Sequence, residues 1–586
     1  MLLDQRSVRL STAILSLLLA TTACEDKAPS EQDTADSASK RGQRKQGKSA
    51  SAQASAAPAP ASDPGPPKAS TSDGAHPNVI VILVDDQRAA AASCMPKLRE
   101  LVTKQGVEFE NAFSPTPLCC PARSSLLTGL YAHSHGVLHN GDLEADDEEK
   151  TPGVFDFNKN NNEQRVIARY FREAGYRTAL IGKYLNAYDE LLEKQPGYVP
   201  PHWDDWYVFP HAEYFDFQLV EKPKGAARAV TRCYPTNGPG KGLGKGPPDC
   251  AKGADETAAE DENYSTDVLT ERALTVIEAA TAAKEPFFLY YAPKAPHGPY
   301  TSPKRYQPDA KSSSFTDQAL TRISGCSLYD WKDRPASFME QDVSDKPRWV
   351  KQVSKDNEER VFDELRRKQL ISVLAVEDGL EKMTQKLKQL GIEKNTIIVY
   401  AGDNGFAWGD HGYKGKNCVY DECIKVPLII YDPRFPGGGR KEPAFVMNVD
   451  VAPTFADLLG FKFQPDKPLD GRSFAGLING KGAQLREEIL IECWGTGKKA
   501  HPPTTAGVRG KKWKYVEHYE DVERKVPERA KGDVVRELYD LEKDPHELDN
   551  LLGLKKKELA EKGYDAKTVD AVVAEQKQKL SAMKGP

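Results

Sequence analysis

Asn78-Val-Ile-Val-Ile-Leu-Val84, followed at once by Asp85-Asp86, decides the fold. Six consecutive apolar residues after Asn78, rich in β-branched side chains and without polar alternation, read as a strand covered on both faces. Working outward, residues 163–174 have helical spacing and lead into a second such run, Arg177-Thr-Ala-Leu-Ile181. Residues 266–283 predict a helix before the strand Pro286-Phe-Phe-Leu-Tyr-Tyr291, and residues 367–390 a long amphipathic helix before Asn395-Thr-Ile-Ile-Val-Tyr-Ala401. Buried strands alternating with helices predict an α/β mixed sheet flanked by helices. The distinctive polar residues stand just past the strands' carboxyl ends, where open α/β sheets bind ligands.

The pattern changes after residue 464. Glu488-Ile-Leu-Ile-Glu-Cys-Trp494, Thr505-Ala-Gly-Val-Arg509, Lys512-Trp-Lys-Tyr-Val-Glu-His-Tyr519 and Glu537-Leu-Tyr-Asp-Leu541 predict a smaller C-terminal antiparallel-sheet subdomain over 465–586, ending in a charged helical tail at 555–584. At the other end, Arg6 and Arg9 precede a short apolar run and Thr21-Thr-Ala-Cys24. That is the shape of a secretory signal, too short to span a bilayer as an ordinary helix. The last four residues resemble a bacterial lipobox, with Thr21 where Leu is commonest. Residues 1–24 are thus expected to be a lipoprotein-type signal, with Cys24 acylated and the protein exported to a bacterial periplasm or cell surface. Plain cleavage near Ala23 is the alternative. Residues 25–75, rich in Ala, Ser, Pro, Lys and Asp, cannot bury enough surface to offset their ordering entropy and are expected to form a disordered tether. The catalytic domain is expected over 76–464. A formal net charge of -5 over 586 residues gives no case for a nucleic-acid partner. Of the ten cysteines, Cys233 and Cys250 bracket a Gly/Pro/Lys-rich loop, but pairing is not legible from sequence.

Three motifs carry chemistry. Cys119-Cys-Pro-Ala-Arg123 is followed by Thr128-Gly129. Asp85-Asp86 and Asp403-Asn404 end strands more than three hundred residues apart and offer hard oxygen donors suited to calcium or magnesium. Basic residues follow strands in Gly182-Lys-Tyr-Leu-Asn186 and Ala295-Pro-His297, and Lys416 precedes Tyr420-Asp421, with Lys414 a competitor.

In these motifs the chain resembles the type I sulfatases, whose signature is Cys-x-Pro-x-Arg, four residues, then Thr-Gly. The resemblance runs from Asn78 to about Leu552. Gly-Lys-Tyr-Leu-Asn looks like the version in N-acetylglucosamine-6-sulfatases, and Leu185 stands where many sulfatases have His. The resemblance implies an alkaline phosphatase-like fold and oxidation of Cys119, not Cys120, to formylglycine by a formylglycine-generating enzyme. It implies one divalent ion, calcium or alternatively magnesium, on Asp85, Asp86, Asp403, Asn404 and an oxygen of the modified Cys119. Arg123, Lys183 and Lys416 would bear on the sulfate, and His297 would protonate the leaving alcohol. Asn186, His135 and His411 are implied near the substrate or behind the ligands. The hydrate of formylglycine attacks sulfur through one hydroxyl and expels sulfate through the other, a release a thiol cannot offer. The implied substrate is a sulfate ester on a sugar or other small molecule. The rivals are a phosphonate or phosphate monoester hydrolase of the same superfamily and a non-catalytic binding protein on this fold.

Overall fold

The structure, a computed structural model, describes residues 76–141, 153–234, 263–308, 314–353, 358–461, 466–482, 484–495, 502–519 and 534–584. The expected signal, Cys24 and the tether lie outside these residues. Fourteen strands matter: β1 (Asn78–Val84), β2 (Val107–Phe113), β3 (Arg177–Gly182), β4 (Asp205–Val208), β5 (Phe217–Lys222), β6 (Val230–Tyr234), β7 (Phe287–Ala292), β8 (Thr396–Gly402), β9 (Leu428–Tyr431), β10 (Arg440–Met447), β11 (Glu488–Cys493), β12 (Thr504–Gly510), β13 (Trp513–Tyr519) and β14 (Val534–Asp540). The helices that matter are α1 (Cys119–Thr128), α2 (Ile167–Glu173), α3 (Tyr188–Lys194), α4 (Ser265–Ala283), α5 (Glu359–Ser372), α6 (Leu374–Gln389), α7 (Val451–Leu459) and α8 (Ala566–Met583).

The first ten strands form one sheet in the order β10-β2-β9-β8-β1-β7-β3-β4-β5-β6. β1 lies near the centre, parallel to β7 on one side and β8 on the other, with Ile80 opposite both Leu289 and Ile398. Successive side chains of a strand point to opposite faces, and those of β1 do so. Val79, Val81 and Leu83 join Leu180, Phe288, Val399, Phe171 of α2 and Phe455 of α7. Ile80, Ile82 and Val84 join Ile181, Leu289, Tyr400, Ile277 of α4 and Leu380 of α6. Each such side chain, removed wholly from water, contributes about 1.5–3 kcal/mol before entropy is counted. The expected mixed sheet with helices on both faces is therefore present.

The second sheet, β11-β12-β13-β14, is antiparallel, as expected of the C-terminal region. Ile489, Ile491 and Val516 pack against Phe113, Val419, Phe445 and Met447 of the larger sheet's side, so the two sheets share an apolar seam. All described residues belong to one compact unit.

Several expectations shift in detail. The helix read over 367–390 is two helices, α5 and α6, meeting at Val373 and beginning at Glu359. The helix read from 163 begins at Ile167, after a short turn. The charged tail is a short helix, Lys556–Glu561, and then α8, whose Val569 and Leu580 pack on Leu490, Val508 and Tyr515. Cys94 and Cys326 form a disulfide across 232 residues of sequence, and Cys418 and Cys423 form another. Among the described residues no helix is long and apolar enough to cross a membrane.

Candidate active site

α1 begins at Cys119, beneath the carboxyl end of β1. The motif's spacing has a local cause. Pro121 sits in the first helical turn, where a missing N–H costs no intrahelical bond. Gly129 ends the helix at φ 73, a left-handed cap that favours glycine. Thr128 Oγ1 donates to the Ser124 carbonyl at 2.7 Å. Arg123, one turn on from Cys119, is fully buried, with Nε donating to Asp403 Oδ2 at 2.9 Å and Nη1 to the Lys183 carbonyl at 2.9 Å.

The strand ends bring the remaining groups together. Cys119 Sγ lies 3.3 Å from Asp85 Oδ1, 3.8 Å from Asp86 Oδ1 and 2.7 Å from Lys416 Nζ. Lys183, directly after β3, donates to Asp85 Oδ2 at 2.6 Å. Lys416 also donates to Asp86 Oδ1 at 2.6 Å. His297, in the loop after β7, places Nε2 3.5 Å from Asp86 Oδ2. Its Nδ1 lies 2.9 Å from the Gly298 carbonyl, which can only accept, so Nδ1 carries a proton and Nε2 faces the site. Asp403 Oδ1 accepts from the Asp86 N–H at 3.1 Å and the Asn404 N–H at 2.8 Å, joining the ends of β1 and β8. Lys416 is held through its backbone neighbours: Tyr413 OH donates to its carbonyl at 2.8 Å and the Asn417 N–H to the Pro117 carbonyl at 2.8 Å. Lys414 is exposed. Behind this segment Tyr420 OH donates to Glu537 Oε1 at 3.0 Å, and Asp421 pairs with Arg509 and Lys514, so the C-terminal sheet supports the lysine.

The oxygen donors among these residues suit a hard divalent cation, while Cys119 and His297 bring a thiol and an imidazole to the same cluster. One ligand atom each from Asp85, Asp86, Cys119 and His297 lies within 4.8 Å of the others. Asn404 Nδ2 is committed to Asp86 Oδ1 at 2.8 Å and the Gly405 carbonyl at 2.9 Å, which fixes the amide and leaves its buried Oδ1 with no donor. Burial, with Asp85 and Asp86 nearby, pushes the Asp403 carboxyl up to about 6 despite Arg123, a sign of crowded carboxylates. Burial also works against Asp85, but Lys183, His297, Arg123 and Lys416 outweigh it and hold that carboxyl well below its usual range. Burial would depress the Lys183 and Lys416 ammonium groups, but Asp85 keeps the first charged and Asp86 the second. Three carboxylates thus face three permanent cations. A divalent ion added to that balance leaves net positive charge, suited to an anionic ester.

The other implied residues are distributed differently. Asn186 lines a cleft of about 130 Å³ with Asp85, Lys183 and His297. His135 is fully buried behind α1. Its Nδ1 accepts from the Val137 N–H at 3.0 Å and its Nε2 meets Ser125 Oγ at 3.1 Å, and burial lowers its imidazolium to about 3. His411 pairs with Glu340 at 2.6 Å and packs on the Tyr420 ring. His135 thus supports α1 from behind, through Ser125 and the Pro121 backbone, and His411 is held by Glu340. The same cleft also holds Asp189, His211 and Lys294, which no motif announced. The available signal was position, since His211 closely follows a strand the sequence reading did not assign.

Comparison with known proteins bears on this geometry. The family model described as Sulfatase matches residues 77–461, and one described as N-sulphoglucosamine sulphohydrolase, C-terminal, matches 409–578. An extracellular sulfatase homologue of Caenorhabditis elegans is 30% identical over 72% of this chain and 52% of its own length. The chain therefore spans about half of that relative. The N-acetylglucosamine-6-O-sulfatase of Bacteroides thetaiotaomicron is 24% identical over 84% of this chain and 85% of its own. A solved structure of a protein in complex with its substrate D-glucosamine-2-N,6-O-disulfate matches at TM-score 0.57 and 21% identity, covering 86% of this chain and 98% of that one. The phosphonate monoester hydrolase of Agrobacterium radiobacter matches at TM-score 0.56 and 21% identity, covering 87% and 95%. These likenesses extend over both sheets and agree with the alkaline phosphatase-like fold expected from the sequence.

Proposed function

The chain belongs to the sulfatase family, and from that premise we propose that it hydrolyses sulfate esters of sugars. The nucleophile would be formylglycine made from Cys119, with one calcium ion, or alternatively magnesium, on Asp85, Asp86, Asp403, Asn404 and the modified residue. The observation that carries this reading is the position of Cys119 Sγ, within reach of Asp85, Asp86 and Lys416 at once.

Formylglycine, as its hydrate, supplies a hydroxyl for attack on sulfur and a second for release of sulfate. A divalent ion held by Asp85, Asp86, Asp403 and Asn404 would supply Lewis acidity to the reaction. The chain's own residues do the rest. Arg123 holds Asp403 and, with Nη2 3.5 Å from Asp85 Oδ2, keeps the acidic residues in register beneath the nucleophile. Lys183 and Lys416 flank the reacting position and place fixed positive charge where negative charge spreads in the transition state. His297 presents Nε2 to the cleft. With Nδ1 held by the Gly298 carbonyl, it gives a proton to the leaving alkoxide only as the imidazolium. Burial pulls that imidazolium down, against Asp85 and Asp86, and the arriving sulfate's negative charge opposes burial too. Asn186 offers amide groups to the leaving sugar.

The experiment is turnover of N-acetylglucosamine 6-sulfate by protein whose Cys119 peptide has been weighed by mass spectrometry. Sulfate release that scales with the aldehyde fraction supports the reading. Preferential turnover of an aryl phosphonate reassigns the chemistry, and an unmodified, inactive protein from a host with the modifying enzyme points to a binding role.

A further inference from the structure

Two charged side chains, Asp189 and His211, line the cleft, Glu213 stands beside His211, and none of the three takes part in the chemistry above. Asp189 opens α3, just past the Lys183 segment, and His211 and Glu213 follow β4. β3 and β4 are parallel neighbours, so the loops after them emerge side by side. His211 Nδ1 is 3.6 Å from Asp189 Oδ2 and its Nε2 is 3.5 Å from Glu213 Oε1. These separations are long for hydrogen bonds, and the side chains are 73%, 44% and 44% exposed in the order His211, Asp189, Glu213. Beneath them Lys294 is buried and donates to Glu213 Oε2 at 2.8 Å, which fixes the loop to the sheet. Asp189, His211 and Lys294 line the cleft that also contains Asp85, Lys183, Asn186 and His297. Asn186 Oδ1 is buried there without a partner.

Exposed ion pairs of this kind stabilise a fold by only about 0–1 kcal/mol, so stability does not call for the arrangement. Electrostatics argues against it as an anion collar, because the two carboxylates offset the charge of His211 and Lys294 and leave no net pull on an anion. A rim that gripped a second sulfate would present Arg or Lys without acids. Acceptors spaced around one cationic donor instead match a group that both donates and accepts, such as a sugar hydroxyl. The charge states suit the role. The neighbouring carboxylates of Asp189 and Glu213 outweigh burial and carry the His211 imidazolium up to about 9. Burial raises Glu213, but bonds from His211 and Lys294 carry it down to about 2.

We propose that Asp189, His211 and Glu213 form a subsite for the uncharged hydroxyl face of the sugar that carries the sulfate. Asp189 and Glu213 accept from ring hydroxyls, His211 donates to one, and Asn186 Oδ1 receives a further N–H or O–H of the same ring. The subsite selects a ring with free hydroxyls and rejects one sulfated at the contacted positions, since a sulfate there brings no hydroxyl proton to the two carboxylate acceptors. This inference rests on the sulfatase reading.

The test compares N-acetylglucosamine 6-sulfate, its 3-deoxy and 4-deoxy analogues, and an aryl sulfate, using wild type and Asp189→Asn, Glu213→Gln and His211→Gln. Melting temperatures verify that each variant is folded. The expected result is a fall of about 10- to 100-fold in the ratio of kcat/KM for the sugar over the aryl substrate in the carboxylate variants. Wild type loses a similar factor on a deoxy analogue, and the matching variant loses little more on that analogue. A ratio within twofold of wild type overturns the subsite, as does an equal loss on both substrates, which would make the trio a loop support. If wild type turns over no sulfate at all, the sulfatase reading fails first, before any variant is compared.

Discussion

Cys119 and Cys120 are adjacent, equally buried and chemically unlike. Cys119 Sγ lies among Asp85, Asp86 and Lys416, whereas Cys120 packs in the apolar cluster with Leu126, Val137 and Tyr184. Cys119→Ala should abolish turnover and Cys120→Ala should keep most of it. Steady-state rates on folded variants check this, and equal losses would undo the assignment. His297 allows a finer test. A phenolate leaves with little proton assistance, while a sugar alkoxide needs it. His297→Ala should therefore slow a sugar sulfate at least about tenfold more than an activated aryl sulfate, whereas Lys183→Ala should slow both alike. Should His297→Ala slow both equally, the histidine binds sulfate and Lys416 becomes the proton donor. At this scale the sequence was informative because the proposed chemistry ties each signature residue to a fixed place in a short motif. Asp189, His211 and Glu213 escaped notice because rim residues obey no fixed spacing.

Strand ends turn those residues into a site, and β3 shows how little slack they have. Gly182 closes β3 at φ 115, and a Cβ there would stand 2.1 Å from the Ala292 carbonyl oxygen of β7. Gly182→Ala must part the two strands that carry Lys183 and the His297 loop. The expected cost is about 2–4 kcal/mol, read by urea denaturation, with activity falling further than stability alone requires. A variant of wild-type stability and rate would mean that β3 and β7 adjust freely. The central strands were legible because burial on both faces leaves an uninterrupted apolar run, as in β1, β3, β7 and β8. β2, with the pattern Val-Glu-Phe-Glu-Asn-Ala-Phe, and β10, which starts Arg-Lys-Glu, lie toward the sheet's edge and mix charge with apolar residues. The break at Val373 was hidden because apolar spacing continues through it.

Across the whole molecule the proposed ion would unite residues from opposite halves of the chain, since Asp85 and Asp86 end β1 while Asp403 and Asn404 follow β8. Removing it should lower both activity and melting temperature, and calcium should restore them. Saturation at a hundred times the dissociation constant corresponds to about 2.7 kcal/mol. Full activity and an unchanged melting temperature after exhaustive chelation would contradict the assignment. The same closure bears on timing. Cys119 has no exposed surface and is covered by groups that include Lys416, nearly three hundred residues later in synthesis. An oxidising enzyme can reach that thiol only while the chain is still open. Under the proposed formylglycine chemistry, whether a given copy is born active would be decided by a race between oxidation and folding. A copy that folded first would be trapped as an inert look-alike, so specific activity would record how the protein was made rather than how it is later treated.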